Sequence, residues 1–259
     1  MTNFHIIIPA RLNSQRLPGK VLLDIRGKPM VQHVFERATE AGADSVTIAT
    51  DDEQVASVCE KFGANVCMTQ SSHRSGTERI AEAAASIGFD EDEIVVCLQA
   101  DEPHMPAPLI AQVAALLAEH DHVKVATLAT PLKNSKELFN PNVVKVIFNY
   151  RNVAIYFSRA PIPWERDRFS EIWTQTRAVA SESIQIADAY YRHIGLYAYR
   201  AEFLETYSSW SACALEQLES LEQLRILWNG YRIHVGLTDV SVPAGVDTPA
   251  DLERVRTAH

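Results

Sequence analysis

The first half of the chain alternates between short apolar runs and segments in which apolar residues recur every three or four positions. The apolar runs predict strands at residues 4–8, 45–50, 65–69, 93–98 and 124–132. The amphipathic segments predict helices at residues 30–41, 53–62 and 106–119, with another ending near residue 87. Repeated alternation of strand and helix predicts an α/β fold with a doubly wound, mainly parallel sheet. The run at 93–98 is almost wholly apolar, which is typical of a central parallel strand covered on both faces.

The pattern changes after residue 140. Two apolar runs, at 143–148 and 153–158, are separated by Asn-Tyr-Arg-Asn, which predicts a hairpin. We therefore expect one domain spanning residues 1–259, with an inserted antiparallel subdomain at about 140–200. Its exposed edge is a natural seam for a homodimer.

The remaining elements follow from the same patterns. Residues 190–200 and 231–237 predict strands, and residues 215–228 predict one amphipathic helix. Residues 169–188 are polar without clear periodicity, and this predicts a surface loop.

Composition narrows the classes of function. The 259 residues are 47% hydrophobic, enough for a full core, and the net charge of −9 argues against nucleic-acid binding. The N-terminal apolar run is too short for a signal segment, and no stretch approaches the roughly 20 apolar residues of a membrane span. The four cysteines form no C-x-x-C pair, so we expect reduced thiols in a cytoplasmic protein with no membrane partner.

A basic loop follows the first strand. Arg11, Arg16 and Lys20 lie within ten residues of an otherwise acidic chain, interleaved with Asn13 and Ser14. Such a surface, rich in hydrogen-bond donors at the end of a strand, suits a polyphosphate. The alternative is a solvated basic loop. No G-x-G-x-x-G follows this strand, which removes the main evidence for a dinucleotide-binding oxidoreductase.

Carboxylates follow other strands. Asp51 and Asp52 open the helix at 53–62, where capping is the favoured interpretation over metal binding. Asp101 follows the apolar run at 93–98 and is well placed to hold Mg²⁺, whereas Glu102 also suits a cap. Near the end of the chain, Thr248-Pro249 with Asp251 predicts a capped helix start. The neighbouring Asp247 is not needed for that cap.

Four segments resemble the motifs of the sugar-acid cytidylyltransferases, most closely the branch that uses the eight-carbon acid 3-deoxy-D-manno-octulosonate (Kdo). They are PARLNSQRLPGK at 9–20, HRSGTER at 73–79, QADEP at 99–103 and GVDTPAD at 245–251. The chain departs from the family at Val21, which is usually proline, and at Ala100, which is usually glycine. The resemblance implies a nucleotide-diphospho-sugar transferase type of fold.

The same resemblance implies an activity. The enzyme would join CTP and Kdo into CMP-Kdo and pyrophosphate for lipopolysaccharide synthesis, with Mg²⁺ as cofactor. Two alternatives stay open. One is a nucleotidyltransferase for a related sugar acid, such as 8-amino-Kdo or a sialic-type acid, or for another nucleotide sugar. The other is a non-catalytic nucleotide-binding protein of the same fold.

Roles for individual residues are also implied by the resemblance. The catalytic residues are Arg11, Arg16, Lys20 and Asp101, and the metal ligands are Asp101 and Asp247. The nucleotide-binding residues are Ala10, Arg11, Ser14, Lys20, His73, Ser75, Gly76, Thr77, Arg79 and Gln99. The sugar-binding residues are Gln99, Arg159, Arg166, His193, Tyr197, Glu222 and Gln223. By composition alone, a lone histidine in a strand is usually structural and most charges on an amphipathic helix are solvated.

Overall fold

A computed structural model describes residues 2–14, 16–167, 169 and 186–257. The chain divides into two units. Unit 1 takes the described residues of Met1–Ala126, Leu196–Trp210 and Val242–His259, and unit 2 takes those of Thr127–Gly195 and Ser211–Ser241. The arrangement of the whole chain as one domain with an insertion at 140–200 stays a prediction.

The described strands are β1 (His5–Pro9), β2 (Asp24–Ile25), β3 (Lys28–Pro29), β4 (Ser45–Thr50), β5 (Asn65–Met68), β6 (Ile94–Cys97), β7 (Val125–Pro131), β8 (Lys145–Phe148), β9 (Ala154–Ser158), β10 (Tyr191–Arg200) and β11 (Ile233–Leu237). The described α-helices are α1 (Met30–Glu40), α2 (Glu53–Lys61), α3 (Gly76–Ile87), α4 (Ala107–Ala118), α5 (Ser135–Phe139), α6 (Ala201–Ser208), α7 (Ala214–Glu219), α8 (Gln223–Trp228) and α9 (Pro249–Thr257).

Unit 1 is built on a sheet with the strand order β10-β6-β1-β4-β5. Strand β1 pairs in parallel with β4 and β6, and β4 pairs in parallel with β5, so the predicted α/β fold with a mainly parallel sheet is confirmed. Strand β6 is buried along its whole length, as its apolar sequence predicts. It has parallel pairing only toward β1, because the end of β10 joins its other side in antiparallel register.

A small core under the basic loop fixes where that loop lies. Leu17 of the loop packs with Met30 of α1, and with Val246 and Leu252 around the start of α9. The short 3₁₀ helix Lys20–Leu22 buries Val21, the position at which this loop departs from the family. The first loop and the start of the last helix are thereby packed against one another.

Unit 2 contains the predicted hairpin. Strands β8 and β9 pair in antiparallel register, from Lys145 opposite Ser158 to Phe148 opposite Ala154. In the turn, the side chain of Asn149 accepts hydrogen bonds from the backbone of Arg151 and Val153. The other edge of β8 pairs with the start of β10, also antiparallel.

The prediction of one helix over 215–228 is wrong. Helix α7 ends at Glu219 and α8 begins at Gln223, because Ser220 adopts a left-handed backbone with φ of 51°. Two short helices, α5 and α6, were not predicted.

The predicted surface loop at 169–188 lies mostly outside the described residues. Its described ends, Phe169 and Ile186, are buried in a cluster with Leu132, Leu138 and Tyr190. Among the residues that the structure describes, no helix is long and apolar enough to cross a membrane.

Candidate active site

Three charged residues that lie far apart in the sequence meet in unit 1. The ammonium Nζ of Lys20 lies 2.5 Å from Oδ2 of Asp101 and 3.0 Å from Oδ1 of Asp247. Arg16 adds a second cation, since its guanidinium lies 2.9 Å from Oδ2 of Asp247. The basic loop and the two predicted metal ligands therefore form one cluster.

The strand ends explain why these groups meet. Strands β1 and β6 are parallel neighbours, so the loops that follow them leave the same edge of the sheet. The backbone N–H of Val246 donates to the carbonyl oxygen of Asp101 over 2.9 Å, which binds the segment before α9 to the loop after β6. Asp247 is held beside Asp101 by this contact.

Gly245 permits that close approach. A Cβ at this position would lie 2.9 Å from Oε1 of Glu102 and 3.1 Å from the carbonyl oxygen of Asp101, and the second distance is tighter than most Cβ contacts to a fixed backbone atom. The predicted cap then starts α9, because Thr248 and Asp251 exchange hydrogen bonds from their backbone N–H groups to each other's side chains. Asp251 makes the cap and leaves Asp247 to face the basic loop.

Electrostatics in this cluster favour the charged form of Lys20. Burial acts to lower the pKa of Lys20, but the neighbouring Asp101 and Asp247 carboxylates outweigh it and raise that pKa above its ordinary value. Two carboxylates that converge on one positive group supply the hard oxygen donors that Mg²⁺ prefers. Asp101 and Asp247 therefore fit a divalent ion, although the described residues contain no cluster of three or more potential metal-binding side chains.

The other cations of the loop are more accessible. The side chain of Arg16 is 65% exposed, compared with 14% for Lys20. Arg11 is exposed, and none of the described residues forms an ion pair with it. Arg11 and Arg16 are thus available to an anionic ligand.

The start of α3 approaches the end of β6. Ser75 caps the helix by accepting a hydrogen bond from the backbone N–H of Glu78 over 3.1 Å. A Cβ on Gly76 would lie 3.2 Å from Nε2 of Gln99, so the glycine lets the Gln99 amide pack against the helix start. Thr77 is buried and its hydroxyl hydrogen-bonds with Tyr199.

Two predicted nucleotide-binding residues make protein contacts. The buried guanidinium of Arg79 lies 3.2 Å from Oδ1 of Asp51 and donates to the Thr69 hydroxyl. His73 contacts the carboxylate of Glu82. Asp52, as predicted, caps α2 by accepting hydrogen bonds from two backbone N–H groups.

The predicted sugar-binding residues divide between the units, with Gln99 and Tyr197 in unit 1 and Arg159, Arg166, His193, Glu222 and Gln223 in unit 2. Tyr197 is buried and stacks on Tyr199. Arg166 is 88% exposed and pairs with Asp167 over 2.8 Å. Gln223 is buried at the first position of α8, directly after Glu222.

His193 is a neutral group in this structure. It packs edge-on against Phe157, and its Nε2 lies 3.0 Å from the Thr127 hydroxyl. Burial, assisted by the charge of Arg192, lowers the pKa of His193 to about 3. The imidazole can hydrogen-bond to a ligand but carries no positive charge near neutral pH.

Sequence reasoning missed the ion pair of Glu216 and Arg225, whose charged atoms lie 2.6 Å apart in unit 2. Residues nine apart would not face each other on one continuous helix, so the pattern gave no signal for it. It also missed the buried ammonium of Lys145 and the carboxylate contacts of Glu219. A signal would have required knowledge of the break at Ser220.

With this geometry in place, comparison with known proteins defines the class. The model of the cytidylyltransferase family matches residues 5–233. The chain therefore belongs to the cytidylyltransferase family, as the sequence motifs predict.

Individual relatives are more specific. A 3-deoxy-manno-octulosonate cytidylyltransferase of Coxiella burnetii is 57% identical over 253 residues, covering 98% of both chains. One from Pasteurella multocida is 52% identical over 257 residues, covering 99% of this chain and 98% of the relative. A solved structure of CMP:2-keto-3-deoxy-manno-octonic acid synthetase complexed with CTP is 39% identical, with a TM-score of 0.85 and coverage of 98% and 97%.

Proposed function

We propose that this protein transfers the CMP group of CTP to Kdo, forming CMP-Kdo and pyrophosphate for lipopolysaccharide synthesis. The observation that carries the proposal is the convergence of Lys20, Asp101 and Asp247 beside a basic loop. Relatives that carry the Kdo cytidylyltransferase name match nearly the full length of the chain. The site and the relatives therefore support the same reaction.

The reaction requires displacement at phosphorus. The anomeric hydroxyl of the sugar forms a bond to the α-phosphorus of CTP, the bond to the bridging oxygen breaks, and pyrophosphate leaves. The hydroxyl proton is released at the same time. Because negative charge gathers on the phosphate oxygens, catalysis depends on positioning and on positive charge.

The basic loop would supply much of that charge. Arg11 and Arg16 are exposed and can turn to the triphosphate, while the Lys20 side chain is only 14% exposed and its ammonium lies against the Asp101 carboxylate. Ala10, Ser14, His73, Ser75, Gly76, Thr77, Arg79 and Gln99 complete the proposed nucleotide site. The structure places Arg79 and His73 against carboxylates, so their proposed part is to hold the loop before α3 in position.

Asp101 and Asp247 are the residues that would hold Mg²⁺. When bound, the ion would neutralise phosphate oxygens and lower the pKa of the attacking hydroxyl. In the structure the Lys20 ammonium lies against both carboxylates. Lys20 can therefore turn from the carboxylates to a phosphate when a metal ion takes its place.

The sugar would be met mainly by hydrogen bonds. Gln99, His193, Tyr197, Glu222 and Gln223 offer neutral or acceptor groups, and Arg166 offers an exposed cation for the carboxylate. Polar groups built to pair with specific hydroxyls reject analogues that lack them. We expect a strong preference for an eight-carbon sugar acid over the nine-carbon sialic acids.

Pyrophosphate release over a grid of nucleotides and sugar acids tests the proposal. Rapid release with CTP, Kdo and Mg²⁺, and slow release with UTP or with a sialic acid, is the expected result. Equal use of sialic acid would overturn the sugar assignment. Binding of CTP without any pyrophosphate release would overturn catalysis itself.

The proposal extends to assembly and location. A homodimer is the proposed assembly, because β9 presents Ile155 with 58% of its surface exposed on the hairpin predicted as the seam. The proposed location is the cytoplasm, where the four free cysteines would stay reduced. Light scattering at several concentrations tests the dimer, and a single-chain mass throughout would contradict it.

A further inference from the structure

The side chain of Arg159 is engaged by backbone oxygens. Its Nε donates to the carbonyl of Glu219 over 2.6 Å. Its two terminal nitrogens donate to the carbonyls of Pro141 and Ser220, over 3.0 and 3.3 Å. A planar guanidinium fork suits such a set of fixed acceptors, and a lysine ammonium cannot reproduce its geometry.

The side chain of Glu219 also contacts the segment that carries Arg159. The carboxylate of Glu219 accepts a hydrogen bond of 2.6 Å from the Ser158 hydroxyl and one of 2.9 Å from the backbone N–H of Arg159. The end of β9 and the end of α7 are thus joined by both side chains. Hydrogen bonds to charged groups are the stronger class, so this junction is well defined.

Lys145 fixes the other side of Arg159. Its buried ammonium donates to the carbonyls of Asn140, Val143 and Arg159, over 3.0, 2.6 and 2.6 Å. Burial lowers the pKa of Lys145 to about 8, with Glu219 acting in the opposite sense. The segment at 140–143 and the backbone of Arg159 are therefore held by one lysine.

These contacts meet at the break between α7 and α8. We call this break, residues 219–222, the corner. Ser220 makes the left-handed turn at this corner. Behind it, Arg225 pairs with both carboxylate oxygens of Glu216, at 2.7 and 2.6 Å, with side chains 2% and 10% exposed. Arg159 therefore contacts the corner itself, and the Glu216–Arg225 ion pair joins the two helices on either side of it.

Two residues proposed for the sugar site stand at this corner and just beyond it. Glu222 closes the corner, and Gln223 begins α8. We propose that Arg159 is a positioning residue, which sets the geometry of the corner and so presents Glu222 and Gln223 to the hydroxyl tail of the sugar acid. The inference rests on the proposed function. It replaces the direct contact with the sugar acid that the family resemblance implies for Arg159.

The two roles predict opposite patterns of discrimination. A residue that binds the sugar carboxylate contributes to the preference for Kdo over an analogue with a neutral alcohol at C1. A residue that positions the corner contributes to the preference for Kdo over an analogue lacking a tail hydroxyl. When that residue is replaced, Glu222 and Gln223 are displaced and no longer pair with the tail hydroxyl. The two preferences can be measured separately in one variant.

The test is Arg159→Met, assayed by pyrophosphate release with both analogues as competitors. We expect KM for Kdo to rise about tenfold or more, with KM for CTP within about twofold of the wild-type value. The preference over the tail-deoxy analogue should fall by about the same factor, and the preference over the C1 alcohol should stay unchanged. Loss of the C1 preference, or an unchanged KM for Kdo, would overturn the inference.

Two further variants test whether a general loss of stability could explain the change in sugar preference. Glu219→Gln removes the charged acceptor at the same junction, and it should shift the tail preference in the same direction. Its effect should not add to that of Arg159→Met in a double-mutant cycle. Arg200→Met is the matched control, because Arg200 donates to the carbonyls of Asp92 and Leu117 in unit 1. It should lower the melting temperature and leave both KM values unchanged.

If Arg159→Met does not fold, Arg159→Lys and Glu219→Gln carry the same test. A lysine keeps the charge, so it should preserve a carboxylate contact but not the tail preference. The wild-type assay distinguishes failure of the proposed function from failure of the inference about Arg159. Failure of wild type to use Kdo rejects the proposed function together with this inference, whereas a normal wild type with an unchanged Arg159→Met rejects the inference alone.

Discussion

The cations that are largely enclosed in the two units contact different kinds of oxygen. In unit 1 the Lys20 ammonium contacts the carboxylates of Asp101 and Asp247. In unit 2 Lys145 and Arg159 donate to backbone carbonyls. A pair of carboxylates supplies the charged oxygen ligands by which Mg²⁺ is usually bound, whereas the backbone carbonyls carry no net charge to balance such an ion. The kind of oxygen that a cation contacts therefore indicates its role. A cation on carboxylates, such as Lys20, can serve a ligand, whereas one on backbone carbonyls, such as Arg159, holds the local geometry.

The largest expected effect is at the carboxylates. Asp101→Asn should lower turnover by about a thousandfold or more, since the amide cannot supply the negative charge that the proposed Mg²⁺ site needs. Steady-state pyrophosphate release at saturating CTP and Kdo measures it. The melting temperature should change little, because Lys20 keeps its contact with Asp247. Near-normal turnover would remove Asp101 from the reaction.

The loop cations should differ from one another. Lys20→Met should lower kcat/KM for CTP. The lost transition-state stabilisation should be about 2–4 kcal/mol, because a charged contact in a desolvated site is lost. Arg16→Met should cost less, since solvent screens a side chain that is 65% exposed. Initial rates over a range of CTP concentrations distinguish the two. A kcat/KM unchanged in both variants would mean that the loop is only a solvated turn.

A buried neutral histidine should make stability depend on pH. The pKa of His193 is about 3 in the folded chain and 6.5 in the unfolded one, so between these values the unfolded state binds a proton that the folded state does not. The free energy of unfolding should therefore fall as pH drops below 6.5, by about 1.4 kcal/mol per pH unit, with no contribution above 6.5. Urea titrations at several pH values measure this slope.

The control for that slope is His193→Gln. It keeps a hydrogen-bonding side chain and removes the titrating group, so its free energy of unfolding should depend less on pH over the same range. An identical slope in the two proteins would place the pH dependence elsewhere in the chain.

The smallest effect is expected at Ala100, a buried residue beside the proposed metal ligand. Ala100→Gly restores the residue usual in the family and should change activity by less than about threefold, with a backbone entropy cost of roughly 0.5–1 kcal/mol. Activity and melting temperature together measure it. A large loss of activity would show that the site is packed around the methyl group.

Local patterns predicted most of unit 1. Apolar runs located β1, β4 and β6, and the cap formed by Thr248 and Asp251 follows from their spacing alone. The meeting of Lys20 with Asp247 could not be predicted in this way, because it joins two ends of the chain through the sheet edge. For Asp247 the only signal was the family motif.

Unit 2 was predicted less well at one place. The apolar spacing of 215–228 continues in phase across Ser220, so the pattern indicates one helix. At the break, contacts come from outside that segment, among them the hydrogen bonds of Arg159 to the carbonyls of Glu219 and Ser220. Because Arg159 is about sixty residues away along the chain, a local pattern carries no trace of it.

Binding of Mn²⁺ in the absence of sugar, followed by electron paramagnetic resonance, tests directly whether Asp101 and Asp247 form the proposed metal site. In that proposal Lys20 is the internal counter-ion of the two carboxylates. Lys20→Met should bind Mn²⁺ without nucleotide more tightly than wild type, by about tenfold, because the two carboxylates lose their positive partner. Asp101→Asn should bind it weakly with or without CTP. Equal Mn²⁺ affinity in wild type, Lys20→Met and Asp101→Asn would contradict the account.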